Sequence, residues 1–593
     1  MRQSQLGDAE KDKNVNESAA MCINGGDARI PRPLFKFHTW ETISLPIAIM
    51  VSAWFIARAF VALAPLTSVV AAYSKFPDLL DAGVEELTLG LERGDFSSVQ
   101  LVEAYVGRIL QVNSTLHMVT EINPDAWSIA QELDDERAHG TLRGPLHGLP
   151  ILIKNNIATF DEMNNTAGSY ALLGAKVPRD ATVAARLRKA GAIILGKTNL
   201  SQWANYRSSN SSNGWSAHGG QTYGAYYPGQ DPSGSSSGSG VASSLGLAVG
   251  SLGTETDGSI LSPSQMNNIV GIKTTLGLTS RALVIPISEH QDTVGPMART
   301  VKDAAYILQA IAGPDPYDNY TSAIPWARNG TVPDYPAACQ FDALLGKRIG
   351  VPRNAIGTRT SATAPIYDAF EAALITLRNA GAIIIENTNY TAYDQYLESD
   401  AEGTVLAGDF TPNLAAYLAQ LTYNPNNVTS LADVNAFTKR FPAEQYPSRD
   451  TANFENSLAQ TANFSHTSAE FWAAYQSNLF LGGPGGILGA LDTYRLDAVV
   501  LPTRAASGIS AIIGGPVVTV PLGAYPGNTT VVTNRRGDLN ATAPGVPFGI
   551  AFAGRKWSEE VLIGVAFAFE QRTGVRGVVR PYLKPGVGLG DVV

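Results

Sequence analysis

Cysteine is almost missing. Two residues in 593, Cys22 and Cys339, exclude a disulfide scaffold and any Cys-based metal site. Histidine is scarce as well. There are seven, and none is paired with another at ligand spacing on a helical stretch, which argues against a zinc enzyme. No block of lysines or arginines occurs, and the net charge is −9. A nucleic acid is therefore not expected as the main partner. Charged residues make up only 16% of the chain, against 45% hydrophobic, a balance that fits a large globular core. Internal repeats are absent, and no Pro/Gly/charged linker divides residues 74–593. The length would suit several average domains. Without a divider, residues 73–593 read as one large domain, with 313–342 and 401–470 as peripheral insertions.

The N-terminal end differs in kind. Residues 1–42 are polar and patternless, and read as disordered. Residues 43–73 are apolar, but Pro46, Arg58 and Pro65 interrupt the run. A spanning helix needs about 20 apolar residues, and an arginine at mid-membrane costs roughly 2.5–3.5 kcal/mol on insertion scales. A signal segment starting at Met50 fits better. Arg58 closes its positive end, 59–66 form its apolar core, and Val70-Ala71-Ala72 supply a small-residue cleavage site. Residues 1–72 are then an extension ahead of the domain, and the protein enters the secretory pathway. The alternatives are a retained membrane anchor, the one way this chain would contact a membrane, and a cytoplasmic protein with an ordinary N-terminal helix. Asn-x-Ser/Thr triplets recur, at Asn113, Asn319, Asn329, Asn427, Asn463 and Asn528 among others. On an exported chain they would be candidates for glycosylation.

From Phe76 the pattern is helical. Leu80, Val84, Leu87 and Leu91 stand at helical spacing, and Gly94 ends the run. Ser97 or Ser98 can cap a second helix carrying Leu101, Val102, Tyr105, Ile109 and Leu110. Residues 151–153 form a short apolar run consistent with a strand buried on both faces, and it ends in Lys154. Residues 181–190 read as a helix ended by Gly191, and 192–195 as another buried strand. Further on, helical runs (301–312, 366–380) alternate with short strands (348–351, 382–385, 498–501, 517–520). Such alternation means an α/β sheet covered by helices.

Two motifs tempt and fail. GAIILGKT at 191–198 matches the phosphate loop, but a helix precedes it and its variable positions are strand-like, so the strand–loop–helix context is missing. Gly234-Ser235-Ser236-Ser237-Gly238 matches the nucleophile elbow of α/β-hydrolases, with Ser236 as nucleophile and His290 and His466 downstream. The residues before it, GQDPS, are not strand-like, and the elbow needs a strand there.

The stretch 229–273 holds more. Residues 241–252 read as a helix, which puts Ser235, Ser236, Ser237 and Ser239 at its N-terminus, where free N–H groups attract lone pairs. Thr256-Asp257-Gly258-Ser259 follows, and its glycine permits a tight turn that can expose successive N–H groups, as an oxyanion hole requires. A serine needs a base to become a nucleophile. No histidine lies in the motif, which leaves a neutral lysine. An ordinary lysine has a pKa near 10.4, and burial lowers it. Lys154 ends an apolar strand, so its burial is reasonable. On patterning alone, however, a strand-end lysine reaching solvent, and serines that merely cap and turn, are the plainer readings.

The wording of the motifs tips the balance. PSGSSSGSGVASSLGLAVGSLGTETDGSI resembles the signature of the amidase-signature family. PLHGLPILIKNNI and NTAGS resemble its lysine segment, and GAIILGKTNLSQWAN its next block. LDAVVLPT, GGPVVTVPLG and GVPFGIAFAGRKWSEEVLIGVAFAFEQRTG carry the likeness to about residue 590, with the signature core at about 145–300. The resemblance implies a single large domain with a mixed, twisted β-sheet covered on both faces by α-helices. It implies Lys154 as base, Ser235 as the bridging serine, often held by a cis peptide, and Ser259 as the acylated nucleophile. The backbone N–H groups of Thr256, Asp257, Gly258 and Ser259 would form the oxyanion hole. No metal or cofactor is implied. The reaction implied is hydrolysis of a linear carboxylic amide, releasing ammonia or an amine, on a small-molecule or peptide substrate. GTETDGSI and SEHQDTVGPMARTVKDAA resemble the peptide-amidase-like branch. The sequence departs from the broad pattern at Asp257 and at Ser233 and Ser237 (for glycines), at Leu261 (for an arginine) and at Asn155 (for an aspartate). Two other readings stay open: a component like that of glutamyl-tRNA(Gln) amidotransferase, and a non-catalytic protein on the same fold.

Overall fold

The computed structural model describes residues 76–326 and 332–593. The expectations for residues 1–72, including the cleavage site, and for Asn329 lie outside the described residues. What is described belongs to one unit, Ala72–Val593.

Eleven strands build one sheet. In chain order they are β1 (Val119–Ile122), β2 (Pro150–Lys154), β3 (Ile193–Thr198), β4 (Gly250–Glu255), β5 (Val270–Lys273), β6 (Thr293–Ala298), β7 (Arg348–Val351), β8 (Ile383–Glu386), β9 (Ala498–Pro502), β10 (Val517–Ala524) and β11 (Pro547–Ala553). Their order across the sheet is β1-β3-β2-β4-β6-β5-β10-β11-β9-β7-β8. The sheet is mixed: β3, β2 and β4 run parallel, as do β9, β7 and β8, and the other pairs are antiparallel. Every residue of β2, β3, β4, β5, β6, β9 and β11 is buried. Alternate residues point to opposite faces, so burial at every position requires helices on both sides of the sheet.

The helical expectations hold with adjustments. α1 (Val84–Arg93) starts after Leu80, which sits in the preceding turn, and Gly94 ends it at φ 68°. Ser97 caps α2 (Ser98–Leu116) in a capping box with Gln100. Leu110 is not a core residue; it is 67% exposed. Ile109 takes the inward stripe, and one residue on, the helix has turned about 100° away. α3 (Thr182–Lys189) stops at Gly191, φ 80°. The strand after it runs on through Gly196, Lys197 and Thr198. The GKT residues are thus ladder, not loop, and the buried Lys197 gives its ammonium to Ile157 O and Asn165 Oδ1, each at 2.6 Å.

The expected helix over 241–252 is corrected. α4 covers Ser237–Ser244, and β4 begins at Gly250. The apolar spacing of Val241, Leu245, Val249 and Leu252 fits a helix, but the last two are buried for another reason: Leu252 lies in a strand between β2 and β6. The helix breaks at Gly246, φ 59°, where a Cβ would stand 2.1 Å from Leu79 O.

The insertion at 401–470 is also more than peripheral. α5 (Leu261–Met266), α6 (Val301–Ile311) and α7 (Ala364–Asn379) precede it in the chain. Its helices α8 (Ala401–Leu418), α9 (Leu431–Arg440) and α10 (Ala452–Thr461) share an apolar cluster with Ala171, Trp203, Ile285 and Ile287. Within it, Glu444 is wholly buried and ion-paired to Arg207 at 3.0 Å. The same carboxylate accepts from Ser169 Oγ at 2.7 Å and Tyr170 N at 2.8 Å.

Candidate active site

β2 and β4 lie side by side and parallel, with Ile153 opposite Leu252. One residue further, Lys154 stands at the end of that pairing, beside Gly253 and Thr254. α4 starts on the neighbouring loop, so its N-terminal serines reach the same point. Lys154 is fully buried and its Nζ meets four oxygens: Ser235 Oγ at 2.8 Å, Ser236 Oγ at 2.9 Å, Thr254 Oγ1 at 2.8 Å and Thr254 O at 3.1 Å. Burial pulls its pKa down to about 7, while the charges of Asp292 and Glu255 partly oppose the shift. At neutral pH a large share of this lysine is an uncharged amine.

The three hydroxyls around Nζ are not equivalent. Ser236 Oγ donates to Thr254 O at 3.1 Å and accepts from Thr254 N at 3.2 Å. Thr254 Oγ1 also accepts from Asn156 Nδ2 at 3.0 Å. Ser235 Oγ has no hydrogen-bond partner besides Lys154 among the described residues. Ser235 Oγ is thus the hydroxyl that Lys154 Nζ alone engages, and its proton is free to exchange with Nζ. The Gly234–Ser235 peptide is cis, and Ser235 O accepts from Ser201 N at 3.0 Å.

Ser259 comes from the turn between β4 and α5. Its carbonyl accepts from Ser236 N at 3.1 Å, which ties the two serine segments together. Its residue exposure is 8%, and among the described residues its hydroxyl makes no hydrogen bond, to Ser235 or to any other group. Gly258 turns the chain at φ 80°. Glu255, buried, grips the far side of the turn: its Oε2 accepts from Ile260 N at 2.7 Å and Leu261 N at 2.9 Å. Burial raises the Glu255 carboxyl above the ordinary range, and the Lys273 charge and those two amides work against this. Among the described residues, no acceptor engages the backbone N–H groups of Thr256, Asp257, Gly258 or Ser259. Four successive amides left open beside a serine can receive a developing oxyanion.

Beside this centre lies a cavity of about 210 Å³. Thr254, Thr256 and Asn156 form the wall nearest the lysine, the apolar 283–287 segment another, and Asn413 and Tyr417 of α8 reach in from the insertion. Ser235 and Ser259 are not among its lining residues. Asp292 connects the cavity wall to the turn that carries Ser259, since it accepts from Thr256 Oγ1 at 2.6 Å and from Ile287 N at 2.7 Å.

Sequence reasoning named Lys154, Ser235 and Ser259 but missed Ser236 and Thr254 as partners of the lysine, Asn156 behind them and Glu255 under the turn. Only the density of serine and threonine around Gly253 hinted at them. Ser236 is no elbow nucleophile: among the described residues no strand runs directly into it, and its hydroxyl is engaged by Thr254 and Lys154. His290 pairs with Asp409 at 2.8 Å instead. Two of the departures from the family pattern have a local place. Asn155 Oδ1 accepts from Thr166 N at 2.7 Å and so holds the NTAGS segment. Leu261 is wholly buried and packs in the main apolar core.

Known proteins are similar to the chain over most of its length. The family model described as Amidase matches residues 100–563. A protein named "Putative amidase" in Arthroderma benhamiae is 52% identical over 530 residues, 86% of this chain and 88% of that one. The X-ray structure of the native peptide amidase of Stenotrophomonas maltophilia is similar, with a TM-score of 0.74 and 38% identity, and covers 86% of this chain and 99% of that one. A glutamyl-tRNA(Gln) amidotransferase chain of Thermosynechococcus vestitus is 30% identical over 528 residues, 83% of this chain and 98% of that one.

Proposed function

The chain belongs to the amidase family, hydrolases of carbon–nitrogen bonds, and we propose that it cleaves linear carboxylic amides by acyl transfer to Ser259. Ser259 Oγ attacks the amide carbonyl. Its proton passes to Ser235, whose own proton passes to neutral Lys154. The oxyanion settles on the open amides of residues 256–259. The carbon–nitrogen bond breaks, the nitrogen leaves with the proton returned through Ser235, and water then hydrolyses the acyl-enzyme. The observation that carries this reading is the 2.8 Å contact of Lys154 Nζ with a Ser235 hydroxyl that has no other partner among the described residues.

Peptide C-terminal amides and small amides are the proposed substrates. The likeness to a peptide amidase supports this, as does a cavity with apolar walls next to the lysine. The test is ammonia release by the purified chain from a panel of peptide, fatty and aryl amides, together with fluorophosphonate labelling. Wild type and Ser236→Ala should label and Ser259→Ala should not. Equal labelling of Ser259→Ala and wild type sinks the assignment of the nucleophile. An amidotransferase-like role, kept open by the similarity to the Thermosynechococcus vestitus protein, would instead require a partner protein and ATP. Turnover of non-glutamine amides by the isolated chain removes it.

A further inference from the structure

Away from the serines, Glu289, His290 and Asp409 bring one ligand atom each to within 4.8 Å of one another. Two adjacent loop residues and one from α8 meet here, with 119 positions between His290 and Asp409. Helical ligand spacing cannot reveal such a group. His290 and Asp409 are buried, at 8% and 0% exposure. Asp409 Oδ2 is satisfied by Ser288 Oγ at 2.6 Å and His290 Nδ1 at 2.8 Å. Asp409 Oδ1 is buried and has no hydrogen-bond partner among the described residues. The Glu289 carboxylate likewise receives no hydrogen bond or ion pair among the described residues. The nearby guanidinium of Arg281 is committed to Asp318 at 2.8 Å and meets only the backbone carbonyl of Glu289. Two carboxylates thus share one imidazole, so protonation of the imidazole can balance only one of the two charges. The rings of Tyr475 (4.4 Å from His290 between centroids), Phe471 (5.4 Å) and Trp472 (6.3 Å) enclose the imidazole, and a buried carboxylate oxygen in such surroundings demands a partner.

We propose that Glu289, His290 and Asp409 bind a divalent transition-metal ion, Zn²⁺ by preference. One imidazole nitrogen and two carboxylate oxygens are a zinc-type donor set, whereas Mg²⁺ and Ca²⁺ select oxygen alone. The ion is structural. It pins α8 to the 288–292 segment, so it braces the cavity wall that carries Glu289 and the residue, Asp292, that holds Thr256. This site does not depend on the acyl-transfer reading.

The test uses the full chain stripped with chelator and titrated with ZnCl₂ by calorimetry, with CoCl₂ as spectroscopic probe. One Zn²⁺ per chain should bind, and excess over Kd of about 100-fold should raise Tm by roughly 2–5 °C. Co²⁺ should quench emission from wild type more than from Trp472→Phe. Mg²⁺ should leave Tm unchanged. Glu289→Gln removes a side chain with no internal partner, so it should fold normally and lose at least tenfold in Zn²⁺ affinity; Asp409→Asn should do the same. No one-to-one Zn²⁺ binding to wild type, or affinity unchanged in Glu289→Gln, overturns the proposal.

Discussion

If Lys154 is the base, as proposed, it sets the pH behaviour of the site. A base must be uncharged, and burial brings the Lys154 pKa down to about 7. The ordinary lysine value is 10.5, so the folded state holds fewer protons at this position than the unfolded chain between about 7 and 10.5. Two consequences share that sign. kcat/KM on an amide should rise about tenfold per pH unit below 7 and level off above it, which a pH–rate profile reads directly. A flat profile between pH 5 and 8 contradicts the lysine base. The same shift disfavours folding below pH 7 and is relieved as pH climbs toward 10.5, so the site gives up stability for reactivity. Lys154→Ala should lose turnover by roughly 10⁴-fold across the near-neutral range. Retained turnover would remove lysine from the role.

At the scale of elements, the chemistry depends on where α4 stops. Serines and glycines open α4, and the apolar run behind them would carry a longer helix. Gly246 prevents that with a left-handed φ and a Cβ position 2.1 Å from Leu79 O. The chain can then turn back into β4, which delivers Thr254 to Lys154 and Ser259 to the following turn. Gly246→Ala meets both penalties, strain at positive φ and a clash with backbone, and should cost about 2–4 kcal/mol. Urea unfolding should show a lower midpoint at unchanged m-value. An unchanged midpoint would mean that the turn relaxes freely. The Asn-rich segment after Lys154 works in a similar way. Asn155 commits its side chain to Thr166 and to Thr120 Oγ1 at 3.0 Å, so the residue next to Lys154 organises loops.

For the whole molecule, a net charge of −9 and an apolar fraction of 45% suit a large folded enzyme, and in the structure seven of the eleven strands are buried at every position. We propose that it is exported through the 43–73 segment. N-terminal sequencing of the native protein should then find Tyr73 first, and glycosidase treatment should lower its mass. Asn319, Asn427, Asn463 and Asn528 are exposed and available for such sugars. A native N-terminus at Met1 with no mass change would return the protein to the cytoplasm or to a membrane anchor.

Local patterns were enough for β2 with Lys154 at its end, for most of α1 and α2, for β3, β7, β8 and β9 and the start of β10, and for the rejection of GAIILGKT as a phosphate loop. Burial on both faces and helical stripes leave a period in the chain, and periods can be read one segment at a time. The family wording then singled out Ser235 and Ser259. Where patterning was ambiguous it misled: Val249 and Leu252 continued a helical spacing but belong past the break, because a strand buried on both faces and a buried helix look alike over a few residues. Only the tertiary structure decided which hydroxyl beside Lys154 has no other partner among the described residues, that Glu255 holds the turn carrying Ser259, and that the 401–470 insertion closes on Trp203 and on the cavity. Each of these joins residues on separate strands or helices. Their meeting follows from the order of strands across the sheet, which no local spacing encodes. Within 229–273 the sequence supplied the serines, and the neighbouring strand supplied Lys154, whose contacts distinguish them.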